Sequence, residues 1–428
     1  MSDVAPITAP AATVSVRNGV TYGALGLPLA FVALPLYVIL PNHYATVFGV
    51  PLAVLGVLLL ATRLLDALAD PWIGRWTDTW FAHSTRRVLV IAAVAAVVLS
   101  FGFQALFFPR VSEPTALLIW CGAFLALTYL AYSVLSVVHQ AWGARLGGDA
   151  TQRARIVAWR EGLALAGVLV ASVMPSIAGL GPTSAVFAVA LALGVALLAV
   201  APRSVEKPSQ GRAPSMRLPL ANPGFRRLLL VFMVNGVASA VPATLVLFFI
   251  RDRLQLPAFE PLFLFSYFAA GALSMPLWVR AVARFGLARS WLAGMLLAIA
   301  SFVGAASLGA GDLVAFTVIC VASGLALGAD LALPGALLAG VIQRSGHSGH
   351  AEGAYFGWWN FATKLNLALA AGLSLPLLSA FGYSPGARDA GALQALALAY
   401  GLLPCALKLV AAALLYGAWM RHPVGDST

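Results

Sequence analysis

Long apolar runs alternate with short polar connections along the whole chain. Twelve runs approach or exceed the ~20 residues that a helix needs to cross a bilayer. They lie at about 20–41, 51–77, 87–108, 114–146, 154–178, 183–202, 225–250, 259–283, 288–309, 312–343, 350–382 and 391–420. In lipid the backbone must satisfy its own hydrogen bonds, so runs of this length predict helices. The expected fold is an all-α membrane protein with twelve transmembrane helices. The longest non-apolar stretch, 203–227, separates six spans from six. The predicted organisation is an N-terminal segment 1–19, a six-helix bundle 20–202, a central loop 203–224, a second six-helix bundle 225–421 and a tail 422–428.

Composition agrees with the pattern. The chain is 61% hydrophobic and 10% charged, against about 25% charged in soluble domains. A net charge of +11 would suggest a nucleic-acid partner in a soluble protein, but here the basic residues cluster in loops. Arg110, Arg251, Arg253 and Arg388 fall on one side of the expected topology. Arg63, Arg160, Lys364 and Lys408 fall within spans, and every other Lys and Arg falls on the opposite side. That bias predicts that both termini are cytoplasmic, in a multi-pass protein of the inner membrane. No apolar h-region precedes the first span, so no signal peptide is expected. Cys121, Cys320 and Cys405 all lie in apolar runs and read as core residues.

The second span breaks the apolar pattern. Arg63, Asp66 and Asp70 fall within a ~60° arc of one helix face at 100° per residue. A charge at mid-bilayer costs about 2.5–3.5 kcal/mol even on mild scales, so this face must meet protein or water. Two close carboxylates cannot both stay ionised cheaply. They call for a proton, a shared cation such as Na⁺ acting as a metal ligand pair, or a salt bridge with Arg63.

Other spans carry isolated polar groups. Asp330 could line a cavity, Arg160 and Glu161 point about 100° apart, and Lys408 lacks an obvious partner and could snorkel. His139 is a possible proton relay, because histidine titrates near neutral pH. Trp142, Trp159, Trp358 and Trp359 could stack on a sugar face. Trp159-Arg160 is echoed by Trp359-Asn360 about 200 residues later. A repeat of that kind would place a substrate site between two halves. The motifs H-E-x-x-H, G-x-S-x-G and the phosphate-binding loop are absent, so neither an enzyme nor direct ATP drive is expected.

The second span reads R-x-x-D-A-x-x-D-P-x-x-G-x-x-x-D through Arg63, Asp66, Ala67, Asp70, Pro71, Gly74 and Asp78. This resembles the glycoside–pentoside–hexuronide:cation symporters, the melibiose-permease-like branch of the major facilitator superfamily. Tyr22-Gly23, Gly26, Gly143-Ala144, Arg160, Trp359-Asn360 and Lys364 lie in register with that family. The resemblance implies a major facilitator fold of two six-helix bundles and symport of a sugar, glycoside or sugar acid with H⁺ or Na⁺ by alternating access. It makes Asp66, Asp70 and Ser136 the cation-binding set and Lys364 the coupling lysine, to which Arg63, on the carboxylate face, is added as a second coupling candidate. It places Arg160 near the sugar site; His139, Asp330, Trp142, Trp359 and Asn360 are the further substrate candidates, taken from their own chemistry within the spans. It also makes Asp78 with Arg86 and Arg87 a gate latch like the superfamily's loop signature between the second and third spans. No cofactor beyond the coupling ion is expected; the partners are a small-molecule substrate, that cation and the lipid bilayer, with no nucleic acid, and the protein is expected to be a monomer. Three positions depart from the family pattern: Pro28 and His139 stand where sugar-binding aspartates are expected, and Ala69 stands where some sodium-using members carry an amide. These departures leave open a lysolipid or other amphipathic solute on the same scaffold.

Overall fold

In a computed structural model of the protein, residues 15–203 and 215–420 are described. Segment 1–14, most of the central loop with Lys207 and Arg212, and the tail from Arg421 lie outside the described residues. The described chain is built of helices, and the twelve expected spans all form.

The first span is broken into α1 (Val16–Gly23), α2 (Gly26–Phe31), a π turn at Pro35–Ile39 and α3 (Leu40–Val47). Its interruptions follow its prolines: Pro28, Pro35 and Pro41 lack the amide that an interior helical position donates. Six helices complete the first half and its exit: α4 (Leu52–His83), α5 (Thr85–Phe107), α6 (Pro114–Arg145), α7 (Ala150–Ala178), α8 (Leu180–Ala199) and the short α9 (Leu218–Ala221). The second half comprises α10 (Pro223–Phe248), α11 (Glu260–Phe285), α12 (Leu287–Phe302), α13 (Leu313–Arg344), α14 (Glu352–Ala380) and α15 (Ala390–Trp419). Eleven described spans are long and apolar enough to cross a membrane. The twelfth, α4, has 32 residues but carries Arg63, Asp66, Asp70, Arg75 and Asp78.

Side-chain exposure shows how α4 tolerates those charges. Leu64 and Leu68 are 59% and 55% exposed, whereas Asp66 and Asp70 are 4% and 0% exposed. The helix turns leucines to the lipid and carboxylates to the protein. One large apolar core fills the first half, and of two smaller cores one fills part of the second half and the other reaches across the seam to Ala154, Val157, Ala158 and Leu165 of α7. The halves meet chiefly through α4 on α14 and through α7 on α11 and α13. At the first seam Gly74 faces Gly353 and Gly357 so closely that a Cβ on Gly74 would stand 2.2 Å from the Gly353 carbonyl oxygen. Small residues permit this backbone approach, as they do between membrane helices generally.

Candidate functional site

Midway along α4, three helices bring together an acid–base cluster. Lys364 Nζ of α14 lies 2.7 Å from Asp66 Oδ2 and 2.8 Å from Asp70 Oδ2. It also donates to Ser133 Oγ of α6 at 2.8 Å, and Ser133 donates to Asp66 Oδ1 at 2.6 Å. The Asp70 contact is ionic rather than an aligned hydrogen bond, and Asp70 Oδ1 has no partner among the described residues. The ammonium is the more open member, with 20% of its side chain exposed against 5% and 0% for the two carboxylates. Two carboxylates face one ammonium, so the fully ionised cluster carries one uncompensated negative charge.

Two residues expected here are elsewhere. The hydroxyl on the carboxylates is Ser133, not Ser136. Ser136 stands nearly a turn further along α6, where it accepts from Gln140 at 3.3 Å and from Asn360 at 3.5 Å. Arg63 makes no ion pair with either aspartate. Its guanidinium lies over the Tyr37 ring, 4.1 Å from the centroid, a cation–π contact supplied by the first span.

A second cluster clamps the seam at the end of α4. Asp78 Oδ1 and Oδ2 accept from the backbone amides of Gly353 and Ala354 at 2.7 and 2.8 Å. This caps the first turn of α14, where free amides and the helix dipole favour an anion. Arg145 of α6 reaches Asp78 Oδ1 at 3.1 Å, Glu352 Oε2 at 2.9 Å and the Gly349 carbonyl oxygen at 2.9 Å. Asp78 thus sits at the seam, and the arginine beside it is Arg145. Arg86 and Arg87 are exposed and outside this cluster, because α5 starts by turning away from the seam.

The substrate candidates scatter. Arg160 forms a two-pronged bond with its neighbour Glu161, at 2.9 and 2.6 Å, beside the first span. Asn360 joins Ser136 across the halves, and Trp359 stacks on Phe232 with ring centroids 3.7 Å apart. Three others belong to bundle interiors. His139 Nε2 bonds the Tyr22 carbonyl oxygen at 2.7 Å while Tyr22 Oη donates to the His139 carbonyl oxygen at 3.1 Å. This pins α1 to α6 in a buried site unlike a proton relay open to water. Trp142 Nε1 donates to the Pro202 carbonyl oxygen at 2.8 Å from within the first core.

Asp330 is tied inside the second bundle by Lys408 at 2.6 Å, Trp291 at 2.9 Å and Asn235 at 3.1 Å. Lys408 thus has a partner and does not snorkel. Ser133, Arg145 and Glu352, and the pairing of Asp330 with Lys408, are what sequence reasoning did not find. For Arg145 the available signal was its position at the end of α6, on the same basic side as Asp78.

Two six-helix bundles closing over buried acid–base clusters define a transporter of the major facilitator type. The crystal structure of a bacterial homologue of the iron transporter ferroportin in an outward-facing state has this fold. It matches with a TM-score of 0.71 at 16% identity, covering 94% of this chain and 99% of that one. The chain belongs to the family described as MFS/sugar transport protein, which matches residues 20–418. These are transporters, not enzymes.

Two Escherichia coli (strain K12) relatives are similar in sequence. One, named "Putative glycoside/cation symporter YagG", is 25% identical over 268 residues, 58% of this chain and 57% of that protein. The other, named "Inner membrane symporter YicJ", is 28% identical over 134 residues, 31% of this chain and 28% of that protein. The matched stretches thus span little more than half of YagG and under a third of YicJ.

Proposed function

We propose that the protein is a secondary transporter of the inner membrane that couples a monovalent cation, H⁺ or Na⁺, to symport of a sugar, glycoside or sugar acid by alternating access. The observation that carries this reading is the charge count at α4: Asp66 and Asp70 share one ammonium. A buried net charge is costly, and one further positive charge removes it. A proton suffices, and two carboxylates beside a hydroxyl also offer oxygen ligands to a hard cation.

The cluster joins α4 and α6 of the first half to α14 of the second. An arriving cation weakens the hold of Lys364 on the aspartates and so loosens a tie between the halves. Ion and substrate then bias the same two-state equilibrium, which is what coupling requires. The Arg145–Asp78–Glu352 latch and the glycine seam close the basic face, and the charge bias supports a cytoplasmic side for it; this arrangement suits a carrier open to the outside. The sugar class is supported by the family description and the relatives' names.

The deciding experiment is uptake into proteoliposomes under an imposed proton or sodium gradient, with labelled glycosides and sugar acids. Accumulation should track one of the two gradients and collapse when it is dissipated. Uptake of a cognate solute that is indifferent to both gradients would refute coupling.

A further inference from the structure

Inside the second bundle lies a cavity of about 180 Å³ that no part of the coupling scheme uses. Its walls are largely apolar, with Pro242, Phe263 and Phe302 among them. Its polar end is the Asp330–Lys408 pair, and that pair is saturated. Lys408 Nζ donates to Asn235, Ser239 and Asp330, and both Asp330 oxygens accept from two donors each. Two other groups are not saturated. Tyr267 and Tyr400 both line the cavity; neither hydroxyl takes part in a hydrogen bond among the described residues, and neither is closed to a molecule the size of water. Tyr400 is only 3% exposed, and its ring is held by a stack on Phe249, centroids 4.1 Å apart. Left unpaired by the protein and open to the cavity, the two hydroxyls are free to donate to an occupant.

We propose that this cavity is a binding site for a small, neutral, mainly apolar molecule with one oxygen acceptor, received by the hydroxyls of Tyr267 and Tyr400. Size sets one scale: an apolar cavity of about 150 Å³ accepts benzene, so one six-membered ring with a single polar atom fits this space. Charge sets a limit: the ion pair is already balanced, so a charged head would leave a buried net charge uncompensated. A cyclic ketone meets both, and its carbonyl oxygen has two lone pairs for two phenol donors. A free monosaccharide carries too many hydroxyls for these walls. The site is thus separate in chemistry from the proposed cargo.

Two of the three cysteines, Cys320 and Cys405, also line the cavity, while Cys121 is in the first core. In a Cys121→Ser background reconstituted in nanodiscs, methyl methanethiosulfonate should label both thiols, and the rates follow by mass spectrometry. Cyclohexanone is the probe. We expect it to slow labelling saturably, with Tyr267→Phe and Tyr400→Phe each raising the half-protecting concentration about three- to tenfold, the worth of one hydrogen bond. Glucose at the same concentration should protect neither thiol. Absence of labelling, absence of protection, or equal protection in the double phenylalanine variant would overturn the proposal; the last two would leave the phenols as hosts to water only.

Discussion

Gly74 and Gly353 meet backbone to backbone across the two halves: a Cβ on Gly353 would stand 2.3 Å from the Gly74 carbonyl oxygen. No rotamer relieves such a contact, because the obstacle is main chain. Closure of the basic face is thereby conditional on two hydrogen atoms.

Gly74→Ala should therefore hold the basic face apart. Spin labels at the exposed positions His83 and Arg344 would report a longer distance in the variant. Gly56→Ala, on the same helix with nothing within 4 Å of its added Cβ, is the control and should leave the distance unchanged.

Arg145→Ala should open the same face by a different route. It leaves Asp78 and Glu352, both buried, without their cation, and breaking such a network costs about 3–5 kcal/mol. The same label pair should shift toward the long distance, and Asp78→Asn should shift it less because an amide oxygen still accepts from α14. An unchanged distance distribution in Arg145→Ala would mean that the latch does not hold the face.

At the coupling cluster, Asp66→Asn or Asp70→Asn leaves one carboxylate for one ammonium and removes the demand for a further cation. Gradient-driven accumulation should fall by about 5- to 150-fold, the usual span of a coupling energy, while the unfolding temperature stays near that of the parent. Accumulation at parental levels in both variants would end the coupling assignment.

Lys364→Gln should have the opposite signature. Without the internal ammonium the two carboxylates compete harder for an external cation, so ion affinity rises. The variant should bind its ion more tightly and release it more slowly, lowering net flux while solute exchange persists. Isothermal titration together with exchange and net-flux assays distinguishes this outcome from simple loss of folding.

The Asp330–Lys408 pair calls for a stability test. Lys408→Met strands a buried carboxylate and should cost about 3–5 kcal/mol. Adding Asp330→Asn removes that charge and should restore much of the loss. A double-mutant cycle on thermal unfolding reads the coupling directly; additive single effects would mean the two side chains act independently.

The spans were legible because burial in lipid is a property of local composition: α6, expected at 114–146, forms at Pro114–Arg145. The carboxylate face of α4 was legible for the same reason, since period and hydropathy place Asp66 and Asp70 together. Partnerships were not. Lys408 and Asp330 are 78 residues apart, and nothing local in either helix records that they meet. Ser133 and Ser136 lie on neighbouring turns of one helix, so only the rotation of α6 against α4 decides which hydroxyl arrives. Arg145 was visible as a basic residue near a span end, yet choosing it over Arg86 and Arg87 required knowing which way α5 departs.

Asp78 is both bolt and helix cap. When the seam parts, the amides of Gly353 and Ala354 lose their acceptor and must turn to water, so the first turn of α14 should fray with every excursion. Deuterium uptake at those two amides would then count the carrier's openings one by one, a stopwatch wired into its backbone.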